Sequence, residues 1–414
     1  MTQCSKDAIE FKTLGKRSVV ADFNGGTITS DAGALLLDKT EEAIDLLGRA
    51  AECFVDHRDP DLTEHTVEQL IRQRVFALAL GYEDLNDHDE LSRDPLLAAV
   101  VGKFEPTGQA RRSRLDRDRP LAGKSTLNRL ELTGENADAA SRYKKIVLDF
   151  EAMRSLFVSI FLEAHDESPE QIVIDLNATD DPLHGRQEGR FFHGYYKHYC
   201  YLPLYAFCGE HLLAAELRPS KIDASAGTVE LLERIVAQVR RSWPEVRIII
   251  RADSGFAREA IMTWCEANGV DYVFGLAKNS RLAAEIAEEL GVAEAEWERT
   301  GQASRVFKDF GYRTRSSWSR ERRVVGKAEH LEKGSNPRFV VTSLASEVYD
   351  ARALYEELYC ARGEMENRIK EQQLCLFADR TSTRWMRSNQ IRLWLSSLGY
   401  VLVSALRRLA LSGT

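Results

Sequence analysis

The stretch from 226 to 278 limits the fold most tightly. It reads "AGTVELLERIVAQVRRSW", "EVRIIIRAD", "GFAREAIMTWCEANG" and "VDYVFGLAK" in succession. In the first and third segments apolar residues recur every three or four positions, the period of an amphipathic helix. The second and fourth are short, β-branched and almost continuously apolar, as strands covered on both faces are. Helix–strand–helix–strand order predicts parallel strands joined by crossover helices, hence an α/β core.

On either side the texture changes. "QIVIDLNAT" predicts a further strand, and "YCYLPLYAFC" and "HLLAAELRPS" predict a hairpin around Gly209. Between 296 and 345, "SRVFKDFGYRTR", "RERRVVGKAEHL" and "RFVVTSL" predict strands with turns between them, a β-rich insertion in the α/β domain. The chain closes with two helical segments, "VYDARALYEELYCARGEMENRIKEQQ" and "SNQIRLWLSSLGYVLVSALRRLAL". Near the start, 8–25 predicts short strands broken by glycines. After it come four helices: "SDAGALLLDKTEEAIDLL" opened by a Ser-Asp cap, "HTVEQLIRQRVFALALG" ended at Gly81, "SRDPLLAAVVGK", and "STLNRLEL" capped by Ser125. With 414 residues, more than one core usually organises, the expected division is 1–140 (mainly helical), 141–295 (α/β), 296–345 (β-rich) and 346–414 (helices completing the α/β domain).

Composition removes several classes. The N-terminal "MTQCSKDAIEFK" lacks the apolar segment of a secretory signal. The longest apolar run, Leu393 to Leu406, is too short to span a bilayer and is flanked by arginines. The cysteines (Cys4, Cys53, Cys200, Cys208, Cys265, Cys360, Cys375) form no C-x-x-C pair, which predicts reduced thiols in a cytoplasmic protein, with neither a zinc site nor a disulfide framework. The net charge of −8 argues against a uniformly basic nucleic-acid binder. Yet basic residues cluster at Arg111–Arg129, at Arg313–Lys327 (including Arg322 and Arg323) and at Arg380–Arg392, and local patches suffice to bind phosphates.

Three familiar motifs fail. "LAGKST" is half a phosphate loop, with Asp118 where its first glycine belongs. "HRD" at His57–Asp59 is followed by Pro60, and no glycine-rich loop accompanies it. "NDHDE" at Asn86–Glu90 reads as a polar turn between helices.

Three acidic positions remain. On the strand "IVIDLNATDD", alternation puts Asp175 and Asn177 on one face and Ile172, Ile174 and Leu176 on the other. An acid on an apolar core strand is costly unless paired or bound to a metal. Asp253 ends the strand "RIIIRAD", where open α/β sheets place ligands. In "YCARGEMENRIKE" (Tyr359–Glu371), helical spacing puts Glu366 on the face of Tyr359 and Arg362, away from Glu364 and Glu371. Spacing alone equally predicts a solvated Glu366–Lys370 pair. Two strand acids and a helix acid suit phosphoryl transfer at two Mg²⁺ ions, one activating the attacking oxygen and one stabilising the leaving oxygen.

The segments "TSDAGALLL", "RQRVFALALGYEDLNDHDELSRDPLL", "ATDDPLHGRQEGRFFHGYYKHYCYLPLYAF", "RADSGFAREAIMTWCEANGVDYVFGLAKN", "RGEMENRIKEQQ" and "SNQIRLWLSSLGYVL" resemble bacterial insertion-sequence transposases of the DDE, RNase H-like superfamily. Within it the sequence is most similar to the thirteen-eighty group, related to the branch with a Tyr-Arg-Glu-Lys signature. The resemblance implies an RNase H-like catalytic core with a β insertion, the N-terminal module serving DNA binding or dimerisation. It implies Asp253 and Glu366 as second and third acids and as metal ligands for Mg²⁺, with Mn²⁺ as a substitute. Tyr359 and Arg362 match the residues that orient terminal phosphates. Lys370 lies one turn before the signature lysine's place, which Gln373 takes. At the first acid, relatives read Asp-x-Asp-Ala-Thr where this chain has "DLNAT". Either Asp175 is the first acid and ligand, or Asn177 holds that place and the site is impaired.

The hairpin segment adds Arg186, Arg190 and Lys197 among aromatics, a pattern for gripping DNA by charge and stacking, or else a strand pair with aromatics in the core. The expected partner is double-stranded DNA, both element ends and target, with a homodimer in the synaptic complex, no membrane, and a nucleoid-associated cytoplasmic location. Two alternatives stand beside a transposase: an impaired, transposase-derived DNA-binding protein, and an RNase H-like nuclease.

Overall fold

Strands form where β-branched runs can be covered on both faces, and the longest sheet gathers these runs from distant parts of the chain. The computed structural model describes residues 9–21 and 29–410. Cys4, and positions 8 and 22–25 of the expected N-terminal strands, lie outside the described residues. Ile9–Leu14 (β1) and Arg17–Ala21 (β2) pair as an antiparallel hairpin. Phe54–Asp56 (β3) pairs with Ile146–Leu148 (β4). Asp181–Pro182 (β6), which follows Gln171–Ala178 (β5), joins Phe191–His193 (β7) and His198–Tyr201 (β8) in a small sheet ordered β6-β8-β7.

The central sheet continues with Leu204–Cys208 (β9), His211–Glu216 (β10), Arg247–Ala252 (β11), Asp271–Leu276 (β12), Ser304–Tyr312 (β13), Arg322–Leu331 (β14), Gly334–Ser335 (β15) and Arg338–Thr342 (β16). Its order is β10-β9-β5-β11-β12-β16-β14-β13, with β15 on β14. β11 and β12 are parallel, as the helix–strand alternation predicts, β5 joins them in parallel on β11, and the other pairs are antiparallel. The β9–β10 hairpin turns at Gly209, whose φ of +56° falls in the left-handed region that glycine adopts without penalty. The strands expected between 296 and 345 are present, and they extend this same sheet through β16.

Both faces of the sheet are covered. Ile172, Ile174, Leu176, Ile248 and Ile250 pack under the helices Phe150–Glu163, Thr228–Ser242 and Glu259–Ala267. On the other face Ile249, Val273, Val325 and Val340 meet Leu354, Tyr355 and Leu358. A third cluster joins the helices between 34 and 131 to the final helix Met386–Ala410, so the N-terminal helices share their core with the C-terminal one. No helix among the described residues is long and apolar enough to cross a membrane.

Three helix details differ from expectation. The helix after "SDAG" begins at Ala34 with Gly33 at its cap, and Asp45, with φ of 47°, splits it from Leu46–Glu52. The helix at Lys124–Glu131 is capped by Gly123, because Ser125 already lies inside the first turn. The segment after Asp350 is not one continuous α-helix: a π-helix covers Leu354–Tyr359, a 3₁₀ turn Cys360–Arg362, and the α-helix begins at Gly363. Glycine there stands at a helix start, where it costs less than in the interior.

Candidate active site

The carboxyl ends of β5 and β11 define the site. Their register pairs Leu176 with Ala252, so Asn177, the penultimate residue of β5, and Asp253, the residue just past β11, come side by side, at the ~4.8 Å spacing of neighbouring strands. Asp253 caps the 3₁₀ turn Ser254–Phe256, its Oδ1 accepting from the Gly255 amide at 2.8 Å. Opposite stands Glu366, in the first turn of the helix Gly363–Cys375, where a carboxylate is favoured by the helix dipole. Asn177, Asp253 and Glu366 line one cavity of about 650 Å³, together with Lys370 and Gln373.

Asp175 shares the strand face of Asn177 but does not line this cavity. It is 2% exposed, and Arg251 binds both its oxygens, Nε to Oδ1 at 2.6 Å and Nη2 to Oδ2 at 2.8 Å. Burial pushes its carboxyl up from the ordinary range, and Arg251 opposes that. Strand alternation correctly puts 175 and 177 on one face; Arg251 takes up the first, and the second lines the cavity.

Glu366 pairs with Arg362, one turn back, Nη2 to Oε1 at 2.8 Å. The alternative Glu366–Lys370 pair does not form, and Lys370 makes no ion pair among the described residues; it is exposed at the cavity. Tyr359 lies beside Asp253 along a second cavity of about 450 Å³ that also holds Lys278 and Arg338. Burial raises the Tyr359 hydroxyl above its ordinary pKa, with the Asp253 charge adding to the effect. Gly275 makes room for it: a Cβ at that position would come within 2.5 Å of the Tyr359 hydroxyl.

Beside the larger cavity stands the β7–β8 hairpin. Its aromatics face outward: Phe192, Tyr195 and Tyr199 are exposed, Tyr195 at 82%. Arg190 stacks on Tyr199, 3.9 Å from the ring centre. Arg186 and Lys197 are exposed, and Lys197 sits at the turn with φ of 60°. Of the two readings of this segment, aromatics available for stacking describes it better than aromatics in a core. Arg322 and Arg323 are placed differently. Arg322 is 5% exposed and bonded to Glu259 and Glu266, each at 2.7 Å. Arg323 bonds Asp309 and the carbonyls of Leu344 and Tyr349. Both guanidiniums are consumed inside the protein, so neither presents a free cation to a phosphate.

One lining residue, Asp180, was not singled out by sequence, and a second, Tyr196, was read only as one of the hairpin's interleaved aromatics. Asp180 binds His198 at 2.8 Å, and its carbonyl accepts from Gln373 at 3.0 Å. Tyr196 lines the same cavity, and burial, with the nearby Asp180 and Asp253 charges adding to it, pushes its hydroxyl up to about 12. Both follow the end of β5, where period-two alternation stops assigning faces.

The donors around the cavity are mainly oxygens: the Asn177 amide and the carboxylates of Asp253, Glu366 and Asp180, the last engaged by His198. No group of three His, Cys, Asp or Glu among the described residues is arranged to hold a metal. Two carboxylates still fit a hard divalent ion of the Mg²⁺ kind, which keeps several waters and takes its other ligands from substrate phosphates. The "NDHDE" turn holds no such group, and its His88 is buried against Gln73.

A search of curated proteins found no match. The model of the family described as transposase DDE domain group 1 matches residues 11–414, from the first hairpin through the final helix. The chain belongs to this DDE transposase family.

Proposed function

We propose that the chain is a DNA transposase that binds the terminal inverted repeats of its element and catalyses Mg²⁺-dependent DNA cleavage and strand transfer. The observation that carries this reading is the convergence of Asn177, Asp253 and Glu366 on one open cavity beside an exposed aromatic and basic hairpin. The family acts on DNA and in general uses divalent metal ions. The order β10-β9-β5-β11-β12, parallel in the middle and antiparallel at β9 and β10, supports an RNase H-like core with β13–β16 as its insertion.

Asp253, Glu366 and the Asn177 amide oxygen are the residues to hold the metal. When bound, the divalent ions supply activation of the attacking oxygen and stabilisation of the leaving one. The chain's own side chains do the rest. Lys370 meets a phosphate at the cavity mouth. Tyr359 and Arg362 orient the terminal nucleotide, and Arg362 also holds Glu366 in place. Arg186, Arg190 and Lys197 bind the flanking backbone while the hairpin aromatics stack on bases. The helices of 1–140 read the end sequence, and two copies meet when two ends are synapsed on the nucleoid.

The test is a strand-transfer assay with Mg²⁺, using duplexes that carry the inverted repeats flanking the coding region. Joined products from the unmodified chain, lost in Asp253→Ala, are expected. Cleavage without joining would favour an RNase H-like nuclease. One observation favours a second reading: a neutral amide stands where a third carboxylate belongs. In that case the chain binds the same ends and leaves them uncut.

A further inference from the structure

Asp175 and Arg251 are partners in the register of β5 and β11, and their ion pair is buried on both sides, at 2% and 8% exposure. Such a pair is an expensive way to fill an interior. Desolvation costs several kcal/mol per ion, and apolar residues of similar volume are often as stable or better. Val173, Ile249, Val273 and Leu358 form an apolar cluster on this face of the sheet, and Arg362 and Arg368 stand near enough to act on Asp175.

The third bond of Arg251 gives the pair a direction. Its Nη1 donates to the carbonyl of Leu358 at 2.5 Å. Leu358 lies in the π-helix, and the next residues along the chain are Tyr359, Arg362 and, one turn on, Glu366. Widened π turns recur at functional sites, and helix ends leave carbonyls in need of outside donors. Apolar packing of Leu354, Tyr355 and Leu358 holds this segment against the sheet but does not set its rotation, because hydrophobic contact is non-directional. A bidentate guanidinium, locked by Asp175, does.

We propose that Asp175 and Arg251 are positioning residues: anchored in the strands that carry Asn177 and Asp253, they grip the Leu358 carbonyl and so fix where Glu366 faces those two. The catalytic consequence rests on the transposase reading above; the positioning itself does not.

The experiment separates positioning from mere stability. Asp175→Leu/Arg251→Met replaces the pair by apolar side chains, and Arg251→Lys keeps a charge that cannot reach Asp175 and Leu358 together. For each, melting temperature, Mg²⁺-dependent cleavage of end-bearing duplex, and amide hydrogen exchange of 358–366 are measured. The double variant is expected to melt within a few degrees of the unmodified protein. Its kcat is expected to fall roughly tenfold or more with KM for DNA little changed, and the amides of 358–366 to exchange roughly tenfold faster while β5 and β11 stay protected. Arg251→Lys is expected to show the same local exchange. Unchanged exchange in both variants, or a double variant with full kcat, would overturn the proposal. If the unmodified chain cuts no DNA, the transposase reading falls, and the exchange data alone decide the positioning.

Discussion

Asn177 and Asp253 stand at the ends of adjacent parallel strands, one residue beyond the Leu176–Ala252 register pair, so any ion between β5 and β11 meets an amide on one side and a carboxylate on the other. Restoring the charge is the direct test of that geometry. Asn177→Asp is expected to lower the Mg²⁺ concentration for half-maximal end cleavage by roughly tenfold, because affinity for a hard cation rises with ligand charge. Asp253→Asn and Glu366→Gln should each abolish cleavage while DNA-end binding persists. Titration of Mg²⁺ against cleavage rate checks this; an Asn177→Asp variant with unchanged rate and Mg²⁺ dependence would remove residue 177 from the site.

Gly275 and Tyr359 give a second prediction. A Cβ at 275 would meet the Tyr359 hydroxyl at 2.5 Å and the Ser254 amide nitrogen at 3.0 Å. Gly275→Ala should therefore displace Tyr359 and cost about 1–3 kcal/mol, as overpacking usually does. Adding Tyr359→Phe removes the closest clash, so the double variant should recover part of the melting temperature. It should not recover cleavage, since the hydroxyl beside Asp253 is then gone. Recovery of both would show that the hydroxyl only fills space.

The basic clusters divide by partner rather than by density. Arg322 is spent on Glu259 and Glu266, and together with a serine and a threonine it holds the Glu259 carboxyl down to about 2. Arg322→Ala should cost about 3 kcal/mol, the scale for stripping one member from a buried pair. The salt dependence of DNA binding should stay as it was. Arg186→Ala and Lys197→Ala should do the reverse: little change in melting, and a salt slope shallower by about one per residue removed. Salt titrations of end binding with all three variants decide it, and an unchanged slope for Arg186→Ala and Lys197→Ala would clear the hairpin of phosphate contact.

These assignments show what was legible in the sequence. Parallel β11 and β12 follow from apolar runs separated by amphipathic helices, and Asp253 follows from its place at a strand end. Helical spacing puts Glu366 on the face of Tyr359 and Arg362, but spacing alone also reads it as a solvated Glu366–Lys370 pair, and the resemblance to DDE transposases is what singles it out. What alternation could not settle was which of Asp175 and Asn177 stays open, since Asp175 is taken up by Arg251 of the neighbouring strand, a pairing that sheet register decides. Nor could charge density distinguish Arg322 from Lys197. Ion pairing is decided by Glu259 and Glu266 on a helix far along the chain, whose approach no local pattern encodes. Asp180 escaped, and Tyr196 was seen only as a stacking aromatic, for a similar reason: they line the cavity from a turn and a small hairpin, with no period to read.

Glu41 provides a pH test independent of DNA. It is fully buried in the N-terminal helices, where Oε1 accepts from the Leu47 and Gly48 amides at 2.8 and 3.2 Å and Oε2 has no partner. Burial raises its pKa from 4.5 to about 7, against the pull of those amides and of Arg72. Between these two values the folded chain holds a proton that the unfolded chain has released. The contribution to stability is therefore complete below pH 4.5 and is lost as pH rises toward 7. The window is worth about 3 kcal/mol at ~1.4 kcal/mol per pH unit. Buried His88 and His211, both pushed down to about 3 by burial, slope the other way, losing stability as pH falls below 6.5. The useful measurement is thus the difference between Glu41→Gln and the unmodified protein. Glutamine mimics the protonated acid, so the variant should match the parent below about pH 4 and exceed it by about 3 kcal/mol at pH 8. A difference independent of pH would mean that Glu41 does not titrate in this range, and that its unpartnered oxygen is stabilised by something other than a proton.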